Sequence, residues 1–169
     1  MLRLATALVA GVLVGASLEP ATTQGAAATS SAKSPAESAA APIRLGNFSV
    51  SLTVKDLAKS REFYEKLGFK VIHGDGKVWQ ILQNETATIG LFQGLFPRNT
   101  FTFNPGWTRD MKTLPAFDDV RALQRTLRER GLEPANAADE AGTGPASFTL
   151  TDPDGNPILI DQHVNKPAK

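Results

Sequence analysis

Three hydroxyl side chains alternate with apolar residues over the segment 48–54, which places a row of hydrogen-bonding groups on one face. The hydroxyls belong to Ser49, Ser51 and Thr53, and the apolar residues around them are Phe48, Val50, Leu52 and Val54. A period of two is typical of a half-buried strand. If the apolar face packs against helices, the hydroxyl face lines a cleft and can bind a ligand through hydrogen bonds. The alternative is that the hydroxyls are satisfied by one another or by water.

A second set of candidate binding residues lies in the segment 105–115 (PGWTRDMKTLP), which has no regular period and predicts a loop. Trp107, Arg109 and Asp110 give this loop one flat ring and two charges, a set that suits a planar or oxygen-rich ligand. The alternative is that Trp107 only anchors the loop to the core.

Two further candidates for ligand binding lie on other predicted strands. Thr102 belongs to the alternating segment 99–104, and Asp161 is the nearby carboxylate on the last predicted strand.

The chain has two histidines, His73 in a Gly-rich turn and His163 past the last strand. Neither has a partner at metal-ligand spacing, so we predict that both are solvated surface residues. No catalytic residue is assigned.

These side chains must be positioned by strands and by two helices with clear start and stop signals. Asp56 predicts the N-cap of the first helix and Gly68 its left-handed C-cap. The apolar stripe predicted for this helix consists of Leu57, Phe63, Tyr64 and Leu67. In the second half, Asp118 or Asp119 predicts the N-cap of a helix that ends at Gly131.

The two halves of the chain share one spacing. Asp56 and Gly68 are twelve positions apart, and so are Asp119 and Gly131. Equal cap-to-cap distances, with strands before and after each helix, predict two βαβββ units. The predicted fold class is α+β, with paired βαβββ modules that form a curved, barrel-like sheet, an open cleft inside and helices outside. The two modules are expected to form two sheets.

Composition excludes several functions. The chain has 169 residues, which allows one folded domain, and its net charge of +1 gives no sign of binding to nucleic acid or to an anionic membrane. There is no cysteine, which excludes disulfides, thiolate catalysis, Cys-ligated metals and a lipidated cysteine.

The N-terminus predicts export. A short basic start and the apolar run 4–16 are typical of a signal peptide, placed at 1–20. An Ala/Ser/Pro-rich linker follows at 21–42, the folded domain is placed at 43–165, and 166–169 forms a tail. We expect a periplasmic or extracellular protein, or a membrane-anchored one if the signal segment is not cleaved. The membrane is otherwise not a predicted partner.

The chain resembles a known superfamily at both ends of the predicted domain. The segments 54–57 (VKDL), 63–64 (FY) and 67–69 (LGF), with Ser60, are similar to the opening signature of the vicinal oxygen chelate superfamily, and 152–157 (DPDGNP) resembles its closing hairpin. This superfamily contains glyoxalases, extradiol dioxygenases and bleomycin- or fosfomycin-resistance proteins. The resemblance implies paired βαβββ modules around a cleft. In the family's enzymes the cleft holds a divalent metal that acts as a Lewis acid.

The positions that the resemblance assigns to metal ligands carry none of the usual ligands. They fall on Ser49, at or beside Gly90, near Thr100 and on Leu159. A hydroxyl, a glycine, a second hydroxyl and a leucine do not make a stable divalent-cation site. We therefore predict no cofactor, with a divalent metal only if an unusual set such as Asp161 with His163, or a partner chain, supplies the ligands.

Three functions stay open from the sequence. The first is a metal-free protein that binds a small molecule in the cleft, as the family's drug-sequestering proteins do. The second is a glyoxalase-like lyase or dioxygenase with a divergent metal site. The third is a non-catalytic interaction domain whose cleft is filled by Phe92, Phe101 and Phe103. The resemblance also leaves open a homodimer, because modules of this family pair between chains as well as within one.

Overall fold

A computed structural model describes residues 42–168 of the chain. The predicted signal peptide, and the predicted linker up to residue 41, lie outside the described residues. Between residues 42 and 168, no helix is both long and apolar enough to span a membrane.

The described residues form seven strands and two helices. In chain order they are β1 (Asn47–Val54), α1 (Leu57–Lys66), β2 (Lys70–Gly74), β3 (Trp79–Asn84), β4 (Ala87–Gln93), β5 (Thr100–Asn104), α2 (Val120–Glu129), β6 (Ala146–Thr151) and β7 (Pro157–Gln162).

All seven strands belong to one mixed sheet in the order β2-β3-β4-β1-β5-β7-β6. The central pair, β1 and β5, is antiparallel, whereas β1–β4 and β5–β7 are parallel. The α+β fold is confirmed, but the expectation of two separate sheets is wrong, because the β1–β5 ladder joins the modules into one sheet. The sheet does not close into a barrel, since β2 and β6 remain edge strands.

The second module has one strand fewer than the predicted βαβββ. After α2, the backbone pairs with β6 through one isolated bridge, between Ala135 and Thr149. Pro134 has no N–H to donate to a ladder, and Asn136 has a φ of 51°, outside the extended region. These two residues on either side of the bridge limit the eighth strand to a single pair.

The helix caps lie at the predicted residues. The Asp56 carboxylate accepts a hydrogen bond from Lys59 N, and the Asp119 carboxylate accepts one from Arg121 N. The closing glycines have matching left-handed φ values, 86° at Gly68 and 80° at Gly131. Asp119, not Asp118, is therefore the second N-cap.

The stripe predicted for α1 is wrong in two of its four residues. Leu57 is buried, but Phe63 and Leu67 are 58% and 55% exposed. At about 100° per residue, Phe63 lies roughly 120° around the helix from Leu57. Tyr64 faces inward with Leu57 and packs against the cluster that Leu57 forms with Leu82 and Leu91.

A glutamine at the end of each module caps that module's helix. The Gln93 Oε1 accepts from Leu57 N and the Gln162 Oε1 from Val120 N, both at 2.7 Å. Gln162 also donates to the Asp119 carboxylate at 3.2 Å and to Val164 O at 3.0 Å, and it is fully buried, whereas Gln93 is exposed. This repeated contact supports the duplication that the helix spacing predicts.

The difference between the two caps predicts unequal costs of truncation. Gln162→Ala leaves the buried Val120 N–H and Val164 carbonyl unpaired, so we expect it to lower the free energy of unfolding by about 2–3 kcal/mol. Gln93 is exposed, so in Gln93→Ala water can accept the hydrogen bond from Leu57 N. The loss in free energy of unfolding should therefore stay below about 1 kcal/mol. Urea unfolding of both variants measures the difference. Equal losses would show that burial does not separate the two caps.

Candidate functional site

A cavity of about 370 Å³ lies on the face of the sheet that carries the hydroxyl row of β1. Its volume falls in the range of about 300–1,000 Å³ that is usual for small-molecule sites. Of the seven predicted ligand-binding residues, six line it: Ser49, Ser51, Thr102, Trp107, Arg109 and Asp161. The cavity combines a polar floor with aromatic walls.

The floor comes from β1 and β5. Ser49 and Ser51 are only 8% and 4% exposed, whereas Phe48, on the opposite face of β1, is 48% exposed. The expected burial of the two faces of β1 is thus reversed at this end. The helices cause the reversal, since α1 packs on β4 and α2 on β6 and β7, leaving the outer side of the central strands uncovered.

The hydroxyls of the floor are only partly satisfied. Ser51 Oγ and Thr102 Oγ1 are 2.8 Å apart and share a hydrogen bond, as the alternative interpretation from the sequence has it. The Ser49 side chain makes no hydrogen bond to another residue between 42 and 168. Ser49 therefore offers the cavity an unused hydroxyl. Asn104 Nδ2, beside it, donates to Asp161 O at 3.0 Å.

Thr53 is the candidate that the structure places outside the cavity. Its hydroxyl donates to Phe96 O at 2.9 Å, and its backbone N–H donates to Asn99 Oδ1 at 3.0 Å. Because Phe96 lines the cavity, Thr53 acts on the site by holding the connection between β4 and β5.

Phe101 and Phe103 also lie outside the cavity, so the expectation that they fill it is wrong. They alternate with Thr102 on β5 and therefore face the outer side, where both rings contact Phe48. Of the three phenylalanines named for this role, only Phe92 lines the cavity.

One aromatic wall comes from the first module. The Trp79 and Phe92 rings are nearly parallel, at 10°, with centroids 6.4 Å apart, and His73 meets Trp79 edge-on at 5.2 Å. Asp75 shapes the turn before β3 by accepting from three backbone N–H groups, those of Lys77, Val78 and Trp79. These donors lower the pKa of Asp75, with the Lys77 N–H the largest cause.

The opposite wall comes from the loop 105–115 and the end of β7. The rings of Trp107 and His163 stack at 4.2 Å with planes 11° apart. The His163 Nε2 lies 3.1 Å from Asp161 Oδ2. His73 and His163 are both exposed, as predicted, but His163 has a contact with Asp161 that the prediction did not include. The signal in the sequence was the two-residue spacing, which puts Asp161 and His163 on one side of an extended chain.

Arg109 reaches the cavity from an anchored loop. Gln83 Nε2 donates to Arg109 O at 2.7 Å, and Leu114 N donates to Gly106 O at 2.8 Å. The Arg109 Nε is buried and has no hydrogen-bond partner, and the guanidinium forms no ion pair with any residue in 42–168. Asp110 is exposed and does not line the cavity. Trp107 lines the site and also ties the loop to the end of β7 by stacking on His163.

Comparison with known proteins identifies the family. Residues 48–160 match the family model of the Glyoxalase/Bleomycin resistance protein/Dioxygenase superfamily. The chain belongs to this superfamily. No curated protein matches the chain.

Several solved structures resemble the chain at low sequence identity. An NAD-dependent benzaldehyde dehydrogenase from Legionella pneumophila is 20% identical with a TM-score of 0.52, over 69% of this chain and 99% of that one. A superfamily member from Vibrio splendidus 12B01 is 17% identical with a TM-score of 0.48, over 69% of this chain and 97% of that one. An extradiol ring-cleaving dioxygenase from B. fuscum is 22% identical with a TM-score of 0.43, over 72% of this chain and 33% of that one. At these identities the likeness concerns the fold alone.

The positions that the resemblance assigns to metal ligands can be compared with the residues that line the cavity. Ser49 and Leu159 line it. At Gly90 an added Cβ would lie 2.3 Å from the Phe92 ring, so that ring stands where a ligand side chain would begin. Thr100 does not line the cavity, and its hydroxyl donates to Arg98 O at 3.2 Å.

The residues present do not fit a divalent metal. Between residues 42 and 168, no group of three or more His, Cys, Asp or Glu residues is placed to hold a metal ion. Asp161 and His163 make one pair with nitrogen and oxygen donors, but a protein site for zinc takes at least three protein ligands and one for calcium six or more oxygens.

Proposed function

We propose that this superfamily member is an exported protein that binds a small organic molecule in its cavity without the metal that the superfamily's enzymes use. The proposal rests on one observation. The chain forms a cavity with a polar floor and aromatic walls, while the positions that the resemblance assigns to metal ligands fall on Ser49, at or beside Gly90, near Thr100 and on Leu159.

The side chains at two of these positions support a wall without metal ligands. Leu159 lines the cavity, and its side chain is a hydrocarbon that cannot bind a metal ion. At Gly90, any side chain would have to displace the Phe92 ring, which also packs edge-on against Phe96 at 4.9 Å. Such a wall offers few ligands to a cation that needs several charged or polar groups. It can pack against an apolar ring.

Export rests on the sequence alone. The basic start followed by the apolar run 4–16 supports a periplasmic or extracellular protein, or an anchored one if the segment stays uncleaved. We propose no nucleic-acid partner, because the net charge is +1. A homodimer stays a prediction, which the exposed Phe48 and Phe101 on the outer face make worth testing by light scattering.

Metal content tests the main proposal. The full chain, purified without chelator, is expected to hold far less than one equivalent of any divalent metal by elemental mass spectrometry. Zinc, nickel, manganese and iron should each leave the melting temperature unchanged. If a metal does bind, a free metal concentration of about 100 times its Kd would stabilise the fold by about 2.7 kcal/mol. A thermal melt would detect this as a rise of several degrees in melting temperature.

A second candidate function follows from the Asp161–His163 pair. Two potential ligands lie side by side in the cavity, and His73 stands in its opposite wall. A glyoxalase-like lyase or dioxygenase with a divergent metal site would use this pair. One equivalent of metal that is retained by the wild type and lost in Asp161→Asn would contradict the metal-free proposal and favour this candidate.

A further inference from the structure

One charged side chain in the cavity has no ion-pair partner. Four of its lining residues carry ionisable side chains: His73, Arg109, Asp161 and His163. Asp161 is paired with His163 at 3.1 Å. Arg109 has no ion-pair partner between residues 42 and 168, and its Nε is buried without a hydrogen bond. A guanidinium is always protonated, so the cavity holds one positive charge that no carboxylate between residues 42 and 168 contacts as an ion pair.

A buried N–H donor on a charged group is costly when it has no hydrogen-bond acceptor, and native proteins seldom contain one. A bound anion would supply an acceptor to the guanidinium. The planar fork of a guanidinium matches a carboxylate through two parallel hydrogen bonds. A dianion fits less well, because Arg109 is the only unpaired cation in the lining and the Asp161 carboxylate faces the same space.

The remaining walls favour a flat ligand body. On one side Trp79 and Phe92 lie within 10° of parallel, and on the other Trp107 and His163 lie within 11°. Flat rings stack on such walls, and aromatic contacts add to the affinity beyond burial of the same area. The unused hydroxyl of Ser49 offers a hydrogen bond to a ring substituent.

We propose that the cavity recognises a planar aromatic monocarboxylate, with the carboxylate on Arg109 and the ring against the tryptophan walls. This inference rests on the proposed function, because it names the class of molecule that the same cavity binds. Arg109 is the specificity-determining residue, since it selects for negative charge, and the aromatic walls select for planarity.

Three matched probes test charge and planarity separately in the full chain. They are 2-naphthoate, its neutral amide 2-naphthamide, and the saturated decahydro-2-naphthoate. Binding is measured by calorimetry and by the indole N–H signals in a ¹H–¹⁵N spectrum. The chain has two tryptophans, and both line the cavity, so binding there should move both signals. We expect 2-naphthoate to bind at least about 10-fold more tightly than either other probe.

Arg109→Gln tests the anion contact directly. We expect it to weaken 2-naphthoate about 10- to 100-fold, as for a lost hydrogen bond to a charged group, and to leave 2-naphthamide within about twofold. Arg98→Gln, an exposed arginine outside the cavity, is the matched control and should change neither affinity. Melting temperatures establish that both variants are folded.

The possible failures are distinguishable. If 2-naphthamide binds as tightly as 2-naphthoate and both indole signals move, the carboxylate inference is overturned while the proposed binding function stands. If Arg109→Gln leaves the affinity for 2-naphthoate unchanged, Arg109 is not the anion site and the inference is likewise overturned. If no probe of either charge state moves the indole signals of the wild type, the result counts against both the inference and the proposed function.

Discussion

Phe148→Ala is expected to lower the free energy of unfolding by about 3–5 kcal/mol, the largest loss that we predict for a single substitution in this protein. Phe148 lies on β6 with no exposed surface. It packs in the cluster that joins the sheet to α2 through Val120, Leu123 and Ile160. Truncation removes the ring's apolar burial and leaves a cavity that close-packed neighbours fill only partly.

A matched phenylalanine serves as the control. Phe63 on α1 is 58% exposed, so Phe63→Ala should change the free energy of unfolding by no more than about 0.5 kcal/mol. Urea unfolding of the full chain, followed by circular dichroism, measures both variants. Since small domains have only about 5–15 kcal/mol of stability, the Phe148 variant should unfold at a markedly lower urea concentration. Similar midpoints for the two variants would refute the assigned core.

Gly106→Ala is expected to cost about 2–4 kcal/mol and to weaken ligand binding. Gly106 has a φ of 85°, and an added Cβ would lie 2.5 Å from Val164 Cγ2 and 3.1 Å from the Phe117 ring. The left-handed conformation costs an alanine about 1–2 kcal/mol, and overpacking adds about 1–3 kcal/mol. Because the next residue is Trp107, relief of the clash should displace the loop that carries Trp107 and Arg109 over the cavity.

Gly131→Ala separates the two causes. Gly131 has a φ of 80°, but no atom lies within 4 Å of an added Cβ. It should therefore lose only the conformational part, about 1–2 kcal/mol, and leave the cavity unchanged. Unfolding experiments give the energies, and the Trp107 indole signal reports the position of the loop. If Gly106→Ala costs no more than Gly131→Ala and that signal does not shift, the close approach to Val164 is not a constraint.

Local signals in the sequence predicted much of the framework. Asp56 with Gly68, and Asp119 with Gly131, bound the two helices because caps depend on a few consecutive residues. The alternation in 48–54 predicted that Ser49 and Ser51 face a cleft, because strand geometry sends neighbouring side chains to opposite faces.

Contacts between distant segments could not be predicted in the same way. Gln93 and Gln162 cap helices 36 and 42 positions earlier in the chain, and nothing in their local sequence marks them as caps. The sequence placed His73 at a Gly-rich turn, but His73 lies on β2 and lines the cavity, where its ring meets Trp79 edge-on.

The sequence by itself determined the superfamily, the helix bounds and the hydroxyl row, since each depends on short-range pattern or on motif. Only the tertiary structure decided which candidates meet. It placed Thr53 outside the cavity, turned Phe101 and Phe103 to the outer face, brought Asp161 within 3.1 Å of His163 and left the Arg109 guanidinium without an ion pair among residues 42–168. These outcomes depend on strand register and on where loops cross the sheet, which are set by the packing of the whole domain.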